Sequence, residues 1–476
     1  MAEDEFTGLV KWVALAVVAI TSLVITFMMS SVNVAVPVIG PYFNMDAVLL
    51  GWVVTAMTLP QAVLLLPAGR LADIYGRKKI FMIGMALFIV STFLCATASS
   101  GMMLVIFRIF QGISGGMVFG ISVAIVTSVF PAEERGRALG INMAAGFIGL
   151  TAGPFIGGVL TEHLGWRSIF YISAALFLVS FFLILWKLKG EWSEAKGEKF
   201  DITGSVVFIV SMTLLLYGFT VLVESSVLVF VIGRAIIEIP GYAFFIVGLI
   251  GVSFFIWWEA RAKSPIFNIG LFKKNRVFVF SNLAMLIKYC AAFAISFLMS
   301  IYLQYIHGYS PKEAGLVLVV ISVVIVFVSP IAGRLSDKYE PRKVAALGMT
   351  FSFVAVLLLT FLNDGTPLWF ILIALVLSGL GVGFFSSPNT NAIMSSVDRQ
   401  FFGVAAGAQG TMRSIGMMMS MGVVMILFSI NIGDSEITPD KYPAFLTSMR
   451  TAYIIFTALC FVGIFAQLAG KKSAKN

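Results

Sequence analysis

The sequence predicts an all-α integral membrane protein built of two pseudo-symmetric six-helix bundles plus a central two-helix insert, fourteen transmembrane helices in all. Three observations lead there. Apolar residues make up 59% of the 476 and charged residues only 12%, about half the charge of a soluble domain, so lipid has to solvate most of the surface. The apolar residues fall into long runs separated by short polar breaks. A motif near residue 69 returns near residue 333, which is the mark of a duplicated half.

A helix needs about 20 apolar residues to cross the hydrocarbon core. On that criterion the spans are 12–36, 47–67, 80–98, 101–124, 138–160, 168–187, 203–223, 240–258, 277–302, 313–333, 343–362, 368–388, 402–429 and 450–469. The first is expected to be retained: Glu3, Asp4 and Glu5 are acidic where a cleavable signal would be basic, and the run after Trp12 is too long for a signal core. Val223 to Pro240 is also apolar, but Glu224, Arg234 and Glu238 interrupt it. That stretch is expected to be an extracellular or interfacial excursion and not a fifteenth span.

An even number of spans puts both termini on one side. Of the 32 lysines and arginines, only Arg167, Arg234, Lys312, Lys441 and Arg450 fall on the opposite side, and Arg108, Lys288 and Arg413 lie within spans. All the others flank the terminal side. Positive loops stay in the cytoplasm, so both termini are expected to be cytoplasmic and the protein to be multi-pass in the cytoplasmic (plasma) membrane. The net charge of +9 is then topological, and no nucleic-acid partner is implied.

Gly69-Arg70-Leu71-Ala72-Asp73 recurs as Gly333-Arg334-Leu335-Ser336-Asp337, and Gly112 and Gly136 recur as Gly379 and Gly403. A six-plus-six repeat with spans seven and eight inserted explains these matches together. The expected domains are 1–190 for the first bundle, 191–276 for the linkers and insert, and 277–476 for the second bundle.

Three motifs carry the chemistry. After span two comes Gly69-Arg70-Leu71-Ala72-Asp73-Ile74-Tyr75-Gly76-Arg77-Lys78-Lys79. Its glycines permit a tight turn, and an aspartate among cations can form ion pairs that a rocking motion makes and breaks. Span four holds Arg108 in Phe107-Arg108-Ile109-Phe110-Gln111-Gly112. A guanidinium in hydrocarbon costs several kcal/mol unless it faces protein or water, so Arg108 either serves transport or satisfies backbone carbonyls at a helix break. Gly112, Gly116 and Gly120 continue one face at four-residue spacing, as close helix contact requires. Span five reads Gly149-Leu150-Thr151-Ala152-Gly153-Pro154-Phe155-Ile156-Gly157-Gly158. Its glycines smooth one face, and Pro154 removes a backbone hydrogen bond and bends the helix, as a pivot would need.

The loop motif resembles the signature of the major facilitator superfamily. The resemblance implies a cytoplasmic gating latch in which Asp73 meets Arg77, the Glu134/Arg135 loop and the helix start near Gly403, with Gly333 and Asp337 in a weaker second copy. That copy has Glu340 and Pro341 where Gly76 and Arg77 would align. The Arg108 pattern is similar to the superfamily's second motif, and the glycine-rich span five to the signature of its antiporters. With Val32-Asn33-Val34-Ala35-Val36-Pro37, Gly165-Trp166-Arg167 and Arg413-Ser414-Ile415-Gly416, the whole chain resembles the fourteen-helix drug:proton antiporter subfamily of EmrB/QacA type. In span one Met28 stands where that family has an aspartate, and no Asp or Glu occupies the middle of any span.

The resemblance implies alternating access and the secondary active export of amphipathic small molecules, driven by a proton or other ion. The expected translocation path takes in Asn33, Gln61, Asn142, Asn389, Asn391 and Gln409, with the three cations Arg108, Lys288 and Arg413 making the cavity electropositive. Lys288 fits no motif and could instead snorkel to an interface. Met28 and the missing carboxylates keep open a facilitator or exchanger of an organic anion or lipid-like solute, and a non-transporting sensor or scaffold stands as another class. The chain carries no nucleotide-binding or metal-spacing motif, so no enzyme activity, cofactor or metal is expected. The partners implied are a small-molecule substrate, the bilayer and a proton or other ion, with the protein acting as a monomer.

Overall fold

The computed structural model describes residues 8–130, 132–187, 200–222, 228–232, 235–262, 275–397, 402–433 and 435–469. They contain fourteen helices long and apolar enough to cross a membrane. The helices are α1 (Gly8–Phe43), α2 (Ala47–Tyr75), α3 (Arg77–Thr97), α4 (Gly101–Val129), α5 (Ala132–Leu164), α6 (Arg167–Lys187), α7 (Ile202–Thr220), α8 (Gly241–Glu259), α9 (Arg276–Ile301), α10 (Pro311–Lys338), α11 (Pro341–Leu359), α12 (Leu368–Ser395), α13 (Phe402–Asn431) and α14 (Tyr442–Ala469). Each expected span falls on one of them. In the apolar stretch before α8 the described segments Leu228–Ile232 and Ala235–Ile239 pair as antiparallel strands, β1 and β2.

Local signals set the helix ends. Asp46 caps α2 through the Leu49 amide at 2.7 Å, and Ser100 caps α4 through Met103 at 3.2 Å. Ser310 and Glu313 form a reciprocal capping box at α10, which satisfies two otherwise orphaned amides. The turn between α2 and α3 is shorter than expected. Helix α2 runs through Gly69 and Asp73 to Tyr75, and only Gly76, at φ 113°, breaks the chain before α3. A side chain would be strained in that conformation. The second copy makes the same corner with Pro341 at the start of α11, a position where proline loses no helical hydrogen bond.

The two bundles have the same internal packing. In the first, α1 packs on α5 and α6, α2 on α4, and α3 on α4 and α6; in the second, α9 packs on α13 and α14, α10 on α12, and α11 on α12 and α14. The correspondence extends to single residues. A Cβ on Gly112 would lie 2.2 Å from the Met57 carbonyl oxygen, and one on the repeat-related Gly379 would lie 2.7 Å from that of Ile321. Gly116 and Gly120 likewise meet the Gln61 and Leu65 carbonyls of α2. In lipid no hydrophobic force draws helices together, and this close backbone approach supplies the van der Waals contact that does.

The bundles meet along three lines: α5 against α10, α2 against α13, and α1 against α9. The insert covers the second line. Helices α7 and α8 pack on each other, with Phe208 and Phe255 centroids 5.0 Å apart. Helix α7 then lies over both α2 and α13 through Trp52–Tyr217 at 5.5 Å and a cluster that includes Leu59, Val63, Met212, Leu216 and Met418. Away from these contacts Trp186, Phe327 and Trp369 are largely exposed, and they face lipid.

Gly112→Ala and Gly379→Ala are expected to lower stability by about 1–3 kcal/mol, because the added methyl meets backbone that cannot step aside. At Gly146 a Cβ would meet only Thr26 Cγ2 at 3.9 Å, so Gly146→Ala is expected to be near neutral. Apparent melting temperatures of the purified variants in detergent check the contrast.

Candidate functional site at the bundle interface

On the face where α1 begins and α14 ends, Asp73 meets one of its expected partners. Arg77 reaches it through Nε at 2.8 Å and Nη2 at 2.7 Å. Arg77 also donates to the Ala124 carbonyl at 3.3 Å and to the Ser128 hydroxyl, so the pair ties the α2–α3 corner to the end of α4. Glu134 pairs instead with Lys11 of α1 at 2.6 Å. Every one of these bonds stays within the first bundle. The side chains of Arg135 and Asp337, and the surroundings of Gly403, lie outside the described residues. Around Gly333 a short network holds α10 to α12: Asn391 donates to Ser336 Oγ at 3.1 Å, and Ser336 to the Gly333 carbonyl at 2.7 Å.

Arg108 is 1% exposed, and it too is enclosed by its own bundle. Its Nε donates to the Val53 carbonyl at 2.9 Å and its Nη1 to Gln111 Oε1 at 2.7 Å. Gln111 passes its own amide protons to Thr92 at 2.7 Å and to the Met28 sulfur at 3.4 Å. Met28 therefore adjoins the arginine network at the position where the resembled subfamily carries its aspartate. Among the described residues a carbonyl and a side-chain amide accept from the guanidinium, and no carboxylate pairs with it.

Lys288, midway along α9, is 2% exposed and donates to the Ser352 hydroxyl of α11, with Cys460 of α14 beside it. It points into the second bundle and away from the first, and it does not reach an interface. Arg413 differs from both. It is partly exposed midway along α13, with Phe119 of α4 5.2 Å and Tyr289 of α9 5.9 Å from its guanidinium carbon. Of the three intramembrane cations it is the one that touches both bundles.

Most of the candidate amides join neighbouring helices. Asn142 accepts from Ser22 at 2.8 Å, Asn389 donates to the Ser281 carbonyl at 3.2 Å, and Gln409 donates to Thr390 at 2.6 Å. The carbonyl oxygens of Asn33, Gln61 and Asn389 are buried with no partner among the described residues.

Helix α5 stands between the bundles with a different glycine face toward each. Cβ atoms on Gly149, Gly153 and Gly157 would run into Leu23, Ser30 and Ser31 of α1 in the same bundle, whereas one on Gly158 would lie 2.5 Å from the Pro311 carbonyl of α10. Gly315 of α10 answers with a Cβ position 2.1 Å from the Pro154 carbonyl. Pro154 has no N–H, so the carbonyl of Leu150 loses its helical donor. Ser322 of α10 supplies one at 3.3 Å. The same substitution occurs at the far end of α1. Pro41 leaves the Pro37 carbonyl free, and Tyr305 of the second bundle donates to it at 3.0 Å, next to Gln304 on the Val34 carbonyl at 2.9 Å. On this side the seam is completed by the Ala47 amide on the Ser435 carbonyl and the Lys312 amide on Glu162, both at 3.2 Å.

The sequence profile of the Major Facilitator Superfamily matches residues 18–421 and again 281–472. The chain belongs to this family. Over 454 residues it is 29% identical to the riboflavin transporter RibZ of Clostridioides difficile, covering 95% of this chain and 96% of that one. It is 30% identical over 394 residues to the multidrug resistance protein Stp of Mycobacterium tuberculosis, covering 83% and 71%. The crystal structure of the nucleoside transporter NupG shares the fold with a TM-score of 0.62 at 13% identity, over 97% of this chain and 100% of that one. As a member of the Major Facilitator Superfamily the protein is a multi-pass membrane transporter of small molecules, not an enzyme.

Sequence reasoning did not find Gln111, Phe119, Tyr289, Gln304, Tyr305 or Ser322 as members of these contacts. The prolines mark which carbonyls need donors, but the donors lie more than a hundred residues away and follow no local pattern. Gln111→Leu is expected to lower stability by about 1–3 kcal/mol, since Arg108 would keep only one acceptor. Gln111→Glu, which keeps the acceptor, is expected to be tolerated. Thermal unfolding of both variants in detergent is the measurement.

Proposed function

We propose that the protein exports amphipathic small molecules by alternating access, its two bundles rocking about a central path under a proton or other ion gradient. The observation that carries this reading is the chemistry of the seam. The inter-bundle hydrogen bonds on α1 and α5 include two to carbonyls that prolines have already released, so parting the bundles breaks no bond of either helix ladder. Pro154 and its flanking glycines serve as the pivot, and Asp73 with Arg77 keeps the corner of the first bundle stiff as part of the inner latch. The basic loops put the terminal face in the cytoplasm, and one copy of the chain holds a complete path. The drug resistance named for Stp supports efflux, while RibZ, named for riboflavin, widens the range of substrates to be tested.

One observation favours a second reading. Arg108 bonds to the neutral Val53 carbonyl and Gln111, with Met28 next beyond Gln111, and proton exchange ordinarily uses a carboxylate whose pKa shifts as its access changes. A facilitator or exchanger of an organic anion or lipid-like solute needs no such group.

Two measurements on purified protein in liposomes test these statements. A Cβ on Gly51 would lie 2.7 Å from Met425 Cγ across the α2–α13 line, a separation suited to a disulfide once both residues are cysteine. The native Cys95, Cys290 and Cys460 are buried and do not compete. Oxidising the Gly51→Cys, Met425→Cys protein is expected to stop dye flux and reduction to restore it; undiminished flux through the cross-linked protein would refute alternation. Dye flux that grows with an imposed proton gradient is expected for the antiporter, whereas flux indifferent to the gradient selects the facilitator.

A further inference from the structure

Arg413, Phe119 and Tyr289 sit near the middle of α13, α4 and α9, and therefore at mid-depth of the membrane. They approach one another from both bundles, yet each is only partly buried. Arg413 touches one ring from each bundle, which puts its partly exposed side chain on the line where the bundles face each other and not on the hydrocarbon side. The guanidinium makes no hydrogen bond or ion pair among the described residues, and its Nε is buried with no partner. No Asp or Glu lies in the middle of any span to neutralise it. Arg108 and Lys288, by contrast, each donate to groups of their own bundle.

A cation at this depth is costly unless something answers it. The two rings give part of the answer through their π faces. They also hold the guanidinium so that its planar set of N–H donors, suited to a two-point hydrogen bond with an oxyanion, stays available. From this geometry we infer that Arg413 is the anion-recognition point of the substrate site, and that Phe119 and Tyr289 take up a flat aromatic body attached to the anion. The substrate class is an amphipathic aromatic carboxylate, sulfonate or phosphate. Because each bundle contributes a ring, parting α4 from α9 and α13 would dismantle the site and release the ligand. This rests on the transport reading for its physiological meaning, but the binding site itself can be tested apart from it.

Fluorescein and rhodamine 123 share a xanthene ring and differ in charge, and both report binding by fluorescence anisotropy to the purified full-length protein in detergent. Wild type is expected to bind fluorescein about tenfold more tightly than rhodamine 123, and Arg413→Gln to lose about that tenfold for fluorescein while leaving rhodamine 123 unchanged or improved. Arg413→Lys keeps the charge but not the planar fork, and is expected to fall between them; it carries the test if the glutamine variant does not fold. Phe119→Leu is expected to weaken both dyes. Rhodamine 123 bound as tightly as fluorescein by wild type, or fluorescein affinity unmoved in both Arg413 variants, would overturn the inference. Charge-selective binding without flux in liposomes would uphold the site and overturn transport alone, whereas flux of rhodamine 123 without a preference for fluorescein would do the reverse.

Discussion

In hydrocarbon every backbone carbonyl needs a donor, and a proline inside a transmembrane helix leaves one without. In this protein two of those carbonyls, Leu150 below Pro154 and Pro37 below Pro41, are answered from the opposite bundle by Ser322 and Tyr305. The constraint thereby becomes an interface. A helix–helix contact made of apolar packing alone could slide or be replaced by lipid, whereas a carbonyl with one available hydroxyl fixes the register of α10 on α5 and of the turn Tyr302–Ile306, which follows α9, on α1. Each such bond is weak, of order 1 kcal/mol, so the register is definite while the contact stays breakable.

The proposed movement would be confined to that interface, because the bundles themselves are tightly fitted. Gly112 against Met57 and Gly379 against Ile321 bring backbones too close for even a methyl group, and the α1 face of Gly149, Gly153 and Gly157 does the same for α5. Arg108 adds a polar brace that joins α4 to α2 and, through Gln111, to α3 and α1. The corner at Gly76 is held by Asp73, Arg77 and Ser128. On the rocking motion proposed above, strain applied at one end of such a unit would reach the other as rotation of a stiff body and would be relieved at the seams, with their few polar bonds.

The fold was legible in the sequence because lipid enforces it: a run of about 20 apolar residues has few alternatives to a spanning helix, and duplication repeats its glycines at a fixed offset. Helix ends were less legible. Arg70 and Asp73 look like a loop by polarity, but near a membrane surface long side chains reach water from a continuing helix, and α2 carries on to Tyr75. The glycine-rich motif of α5 was readable as a packing surface, yet its division into an α1 face and an α10 face depends on one residue, Gly158, displaced from the stripe. The candidate path was least legible. A polar residue in a span signals that it avoids lipid, but periodicity does not tell whether it turns toward its own bundle, as Lys288 does toward Ser352, or also meets the other, as Arg413 does at Phe119.

That difference between cations follows from what surrounds each. Arg108 can stay inside because its donors meet Val53 and Gln111, and a neutral Met28 suffices where an acid would add a second charge to be desolvated. Lys288 has a hydroxyl from the facing helix and is closed off by α11 and α14. For Arg413 no acceptor comes from either bundle among the described residues, and burying it fully would leave its donors unpaired, at a cost greater than that of an ordinary polar group. Partial exposure between two aromatic rings lowers that cost, and on the inference drawn above it leaves the guanidinium for water or an incoming anion to answer.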